Sequence, residues 1–149
     1  QLIFAECVDE EGITQEEHLL FDAGPDGNVW KHNATNLHLD LSKINTTVLS
    51  HFHPDHSGGY VSAIPEISKA RNMCDQRTKL LIDYHSSVIL ERAIQNPKTG
   101  DFMKFVPDNP SPEQLESWGA TVELHDEPHV VGQDCFFVSG FIPRVTPYE

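Results

Sequence analysis

The chain has 149 residues, of which 23 are acidic and 10 basic, and it carries a formal charge of −13. That length suits one domain and is short for two, and 38% hydrophobic residues fit a folded chain rather than a disordered one. The acidity argues against nucleic-acid phosphate or an anionic bilayer as partner, because both recruit positive surface, and apolar runs of only a few residues exclude a membrane span.

The first residue is Gln1, with no charged leader and apolar core behind it, so the chain is expected to open inside a longer polypeptide or after processing. A cytoplasmic location is the expectation. Cys7, Cys74 and Cys135 are odd in number and far apart, and they read as ordinary buried or free thiols. Asn33-Ala34-Thr35 and Asn45-Thr46-Thr47 match the glycosylation acceptor pattern and read as chance matches.

In chain order, residues 2–8 read as a strand and 9–12 as a turn. His18 to Asp22 is a second short apolar strand, stopped by Ala23-Gly24-Pro25 and expected to pair antiparallel with the first. Apolar residues recur at near-helical spacing from Gly27 to Leu39. The β-branched stretch Thr46 to Ser50 reads as a buried strand. Gly58 to Arg71 places Tyr60, Val61, Ile64 and Ile67 on one helical face, with Pro65 near its start or at a kink.

Lys79 to Tyr84 is another strand. The stretch from Gln95 to Pro112 reads as a pocket-covering insertion or an ordinary mobile loop. Ser111, Pro112 and Gln114 carry the pattern of a capped helix start, and Gly119 can end that helix in the left-handed conformation. Ala120–Leu124 and Cys135–Ser139 read as strands, separated by the turn-rich stretch His125 to Asp134. Alternating strands and helices predict an α/β or mixed-layer fold.

One stretch carries chemistry: Ser50-His51-Phe52-His53-Pro54-Asp55-His56-Ser57-Gly58-Gly59 places three histidines and an aspartate within six residues, directly after a buried strand. Neutral imidazole and carboxylate are ligands for zinc and similar divalent ions. In extended chain His51 and His53 project to the same side. Pro54 then turns the backbone and presents Asp55 and His56 to a neighbouring point. The alternative is a polar surface loop with histidines by chance, but loops between an apolar strand and a helix start are where α/β folds build sites.

The pattern His51-Phe52-His53-Pro54-Asp55-His56 resembles the signature of the metallo-β-lactamase-fold superfamily, and Leu19-Leu20-Phe21-Asp22-Ala23-Gly24 resembles that superfamily's strand ending in Asp and Gly. The run Leu49 to Gly59, with Gly140-Phe141-Ile142-Pro143-Arg144-Val145-Thr146, is similar to the branch of dihydropterin-aminobenzene-phosphate synthase-like hydrolases, although that branch often has Glu where this chain has Phe141. The resemblance implies an αββα sandwich of which these residues are the N-terminal half without the opening strand.

It also implies two divalent metal ions, zinc first, with manganese or iron as alternatives. His51 and His53 would serve one ion and Asp55 and His56 the other, with Asp22 behind them positioning the loop. Relatives that bind two irons for oxygen chemistry tend to carry Glu at the position of His53, so hydrolysis is favoured over electron transfer. The third His, the bridging Asp and the last His of the family pattern are expected beyond Glu149.

Among the other candidates, His85 at a strand end and Arg144 beside Pro143 are possible substrate-pocket residues. His125 and His129 are four apart, but Pro128 between them argues against a helical ligand pair. His18, His32 and His38 read as solvated. Two functions follow. The first is a metal-dependent hydrolase of a small-molecule ester, amide or phosphoryl substrate, with Asp55 both ligating and orienting the nucleophile. The second is a truncated, non-catalytic module that binds at most one metal or is completed by a second polypeptide. A nuclease is disfavoured by the charge and the lack of a Lys/Arg cluster.

Overall fold

The computed structural model describes residues 1–8, 12–74, 78–91, 93–104, 109–143 and 145–146. Its frame is a five-stranded sheet in the order β1-β2-β3-β4-β7. Strands β1 (Leu2–Val8) and β2 (Thr14–Phe21) pair antiparallel, as their spacing predicts. From β2 onward the sheet is parallel: β3 (Ile44–Val48), β4 (Leu80–His85) and β7 (Ala120–His125) follow in register, with Phe21 opposite Val48, Val48 opposite Asp83, and His85 opposite His125. Four strands therefore end at one edge, where open α/β sheets place ligands.

Helices pack on one face of this sheet. In α1 (Gly27–Asn36) the Asp26 side chain accepts from the Asn28 and Val29 amides, satisfying two free donors of the first turn. The long helix α3 (Tyr60–Met73) holds Pro65 inside it and buries Tyr60, Ala63, Ile64 and Ile67 against Leu20, Ile44, Leu80 and Ile82. Ile64 and Ile67 are fully buried, worth about 1.5–3 kcal/mol each in area removed from water. Helix α4 (Pro112–Ser117) starts as predicted: the Ser111 hydroxyl accepts from Gln114 N, and Gly119 follows at φ +95°.

The opposite face carries Leu19 and Val48, covered by the hairpin β8 (His129–Val131) and β9 (Phe136–Val138) through Val131, Phe136 and Val138. The order is thus helices, sheet, second β layer, in keeping with the α/β expectation and with part of an αββα sandwich. A small hairpin, β5 (Ile94–Gln95) with β6 (Phe102–Met103), lies in the stretch read as an insertion or loop.

Three expectations need correction. Cys7 and Cys135 are not free thiols: they form a disulfide, Cα to Cα 5.8 Å, which ties the β8–β9 turn to β1, while Cys74 is free and exposed. The segment His125 to Asp134 is not all turn, since it contains the end of β7 and all of β8. His18 is not solvated, since its side chain is 14% exposed and it pairs with Glu16. Among the described residues no helix is long and apolar enough to cross a membrane.

Candidate metal centre

The histidine loop begins where β3 ends. Pro54 occupies the first position of a single helical turn, α2 (Pro54–Ser57), which carries Asp55 and His56. His53 sits at the cap position without a side-chain cap bond. Its carbonyl takes the load instead, accepting from His56 N and Ser57 N at 3.0 Å and from Ser57 Oγ at 3.0 Å, so the imidazole is left for other work.

Asp22 holds this loop. It leaves β2 with a positive φ of 55°, a conformation that costs a non-glycine residue about 1–3 kcal/mol. Its carboxylate accepts from Ser50 N at 2.8 Å and Ser50 Oγ at 2.9 Å. It also accepts from His56 Nδ1 at 2.7 Å. A carboxylate cannot donate, so His56 carries its proton on Nδ1 and its Nε2 lone pair points outward, as in carboxylate–histidine–metal arrangements. With the Ser50 proton committed to Asp22, Ser50 Oγ accepts from His51 Nδ1 at 3.0 Å, which leaves His51 Nε2 free in the same way.

The ring centroids of His51 and His56 stand 4.1 Å apart, and those of His51 and His53 4.6 Å apart. Partial burial, reinforced by the neighbouring His56 and His53, lowers the His51 pKa below the usual 6.5, against the pull of Asp22 and Asp55. His51 is therefore neutral, and able to ligate, over a wider pH range than a free imidazole. Asp55 is 70% exposed, with Oδ2 at 3.5 Å from His56 Nε2.

Backbone packing seats the loop on the Asp22 turn. Ala23 N donates to His56 O and Gly59 N to Gly24 O, each at 2.8 Å. A Cβ at Gly58 would lie 2.1 Å from Pro25 O, and one at Gly59 would lie 2.1 Å from Ala23 O. Both glycines are required by close approach. Asn109, buried in the stretch read as an insertion or loop, locks the other side: it accepts from Ser57 Oγ at 2.5 Å and donates to Ile89 O at 2.5 Å and Phe52 O at 3.4 Å.

Beside the loop, between the sheet and the β8–β9 hairpin, lies a cavity of about 360 Å³. Its walls include Leu19, Phe21, Val48 and Phe136, and its polar groups come from Ser50, Asp83, His85, His125 and His129. Tyr84 also lines it, and burial pushes that phenol well up, so it is a neutral hydroxyl. Ser50 thus joins the loop to the cavity. His85 lines the cavity, with its Nδ1 accepting from Ser87 N at 3.0 Å. Arg144 lies outside the described residues.

A second group of potential ligands stands at the cavity. Asp83, His125 and His129 each place a ligand atom within 4.8 Å of the others, and they are the group of three that does so among the described residues. The helical-spacing test did not apply to His125 and His129, because one ends β7 and the other opens β8. The available signal was Asp83 itself, a carboxylate inside the apolar run Leu80–Tyr84 and only 4% exposed.

The model of the metallo-β-lactamase superfamily matches residues 11–145. The chain belongs to that superfamily. Among solved structures, this superfamily member is similar to the metallo-β-lactamase MIM-1 from Novosphingobium pentaromativorans, with 21% identity over 82% of this chain and 42% of that one, at a TM-score of 0.39. It is also similar to the native FEZ-1 metallo-β-lactamase from Legionella gormanii, with 18% identity over 88% of this chain and 46% of that one, at a TM-score of 0.34. The chain therefore spans less than half the length of either structure. No curated protein matches it significantly.

Proposed function

We propose that this chain provides the metal-binding edge of a metal-dependent hydrolase acting on a small-molecule ester, amide or phosphoryl substrate. The observation that supports the reading is the Asp22–Ser50 network, which fixes the protons of His51 and His56 on Nδ1 and leaves both Nε2 atoms available as ligands. His51, His53, Asp55 and His56 would hold the divalent ions. Their imidazole and carboxylate donors suit zinc, with manganese or iron as alternatives. A divalent ion held there supplies Lewis acidity, lowering the pKa of water toward neutrality and polarising a substrate oxygen.

The chain's own residues do the rest. Asp55, exposed beside His56, would accept a proton from an attacking water and orient it. Leu19, Phe21 and Phe136 give the cavity apolar walls that exclude water from the substrate, and His85 offers an imidazole to its polar end. The branch suggested by Gly140 to Thr146 would point to a pterin-linked or phosphorylated substrate.

The test is hydrolysis of p-nitrophenyl acetate and p-nitrophenyl phosphate by the protein with Zn²⁺, after chelation, and in His51→Ala and Asp55→Ala. The reading expects activity on at least one ester that chelator and both substitutions abolish. Zinc-independent turnover, or turnover unchanged in both variants, would overturn it.

The alternative is a module completed by a second polypeptide. It is favoured by β7, which ends the sheet order and leaves Leu124 47% exposed, since an open strand edge is a surface for pairing. A mass in solution equal to one chain, together with metal-dependent turnover, would reject it.

A further inference from the structure

Asp83, His125 and His129 lie outside the histidine loop, and their proton count does not close. His129 Nδ1 is 2.9 Å from Glu127 O, and its Nε2 is 3.0 Å from Asp83 Oδ1. Both partners are acceptors, yet a neutral imidazole has one N–H. Donating to Glu127 O leaves a bare Nε2 lone pair facing a carboxylate oxygen. His125 Nδ1 approaches that same Oδ1 at 2.8 Å, and the two rings stack at 4.0 Å. Closing the count with protons puts a charged imidazolium face to face with its neighbour. One divalent cation among the three groups closes it with both rings neutral.

From this geometry we infer that Asp83, His125 and His129 form a metal site of their own, separate from the histidine loop. Two imidazoles and one carboxylate select a borderline divalent ion of the zinc type over magnesium or calcium, which prefer oxygen donors. The Glu127 carbonyl holds the His129 tautomer, which is the outer support that ligating histidines ordinarily have. The parallel pairing of β4 with β7, with Asp83 opposite Glu123 and His85 opposite His125, fixes two of the ligands on adjacent strands. The side chains of His125 and His129 are 34% and 17% exposed, and both line the cavity, so an ion has a way in. Three protein ligands leave a coordination position open for a carboxylate or another anion entering that cavity.

The site is tested by Co²⁺ titration of the protein with the loop disabled, in the His51→Ala/His53→Ala double variant, monitored by visible absorption and by melting temperature. The inference expects one Co²⁺ to bind, with ligand-field bands and a raised melting temperature. Adding His129→Gln should weaken that binding at least about tenfold, since even outer-shell losses cost 10–100-fold. His125→Gln, at a part-exposed position, should do the same and provides the test if the first triple variant does not fold. Absence of Co²⁺ binding to the folded double variant, or undiminished binding in either folded triple variant, would overturn the inference. Hydrolytic activity does not enter this readout, so the hydrolase reading stands or falls separately.

Discussion

Substituting Gly59 with alanine tests whether the Asp22 turn and the histidine loop are one packed unit. Gly59 has an ordinary φ of −75°, so the backbone tolerates a side chain and only space is at issue. The new Cβ would meet Ala23 O at 2.1 Å and Ala23 Cβ at 2.9 Å, and ordinary contact needs more than 1 Å of movement. Two backbone bonds oppose that movement, Gly59 N to Gly24 O and Ala23 N to His56 O. Overpacking costs about 1–3 kcal/mol, and losing the two bonds adds about 1 kcal/mol each. A total of about 4 kcal/mol corresponds to about 12 °C in melting temperature for a chain of this size. Differential scanning calorimetry of Gly59→Ala against wild type measures it, with Zn²⁺ affinity as the companion readout. Relief by separating the two segments also pulls Asp22 from Ser50, so affinity should fall by about tenfold or more. A melting temperature within about 2 °C of wild type, with unchanged affinity, would refute the reasoning.

Other perturbations probe the same frame from different sides. Asn109→Ala takes the amide donor from the Ile89 and Phe52 carbonyls, while Ser57 Oγ keeps the His53 carbonyl. It should cost about 2–3 kcal/mol in urea unfolding; a loss below about 0.5 kcal/mol would show that Asn109 does not lock the loop. The Cys7–Cys135 bridge closes a loop with a sequence separation of 128. Its reduction, or Cys135→Ser, should therefore lower stability by up to about 5 kcal/mol, and melting curves with and without dithiothreitol check this. The His51 imidazole, held below 6.5 by burial and by its histidine neighbours, binds protons less readily folded than unfolded. Stability of the metal-free protein should then fall as pH drops below 6.5 and through the lower folded value. A His51 NMR titration midpoint at or above 6.5 would contradict this.

Much of the frame was legible because its signals are local. Ser111 and Gln114 sit within one turn of each other, and β3 is a short β-branched run whose end the histidines follow directly. Asp22 was marked only through the resemblance of Leu19-Leu20-Phe21-Asp22-Ala23-Gly24 to the superfamily's strand ending in Asp and Gly. What escaped is assembled over distance. Asp83 meets His125 because β4 and β7 pair in parallel, and His129 because β8 returns beside them, across 42 and 46 residues of sequence. The helical criterion applied to His125 and His129 could not see that. Cys7 finds Cys135 for a similar reason, since the β8–β9 turn folds back over β1. Asn109 lies in a polar stretch whose composition resembles any loop, and only its burial, at 7% exposed, distinguishes it.

The proposed function rests on a loop preset by Asp22 and Ser50 that would take divalent ions through His51, His53 and His56. The most direct measurement is the imidazole ¹⁵N spectrum of the protein as Zn²⁺ is added. Before zinc, His51 and His56 should appear as Nδ1-protonated tautomers. With zinc, the Nε2 resonances of both, together with a ring nitrogen of His53, should move to metal-bound positions. If these three rings stay unchanged while zinc binds elsewhere in the protein or not at all, the account is contradicted.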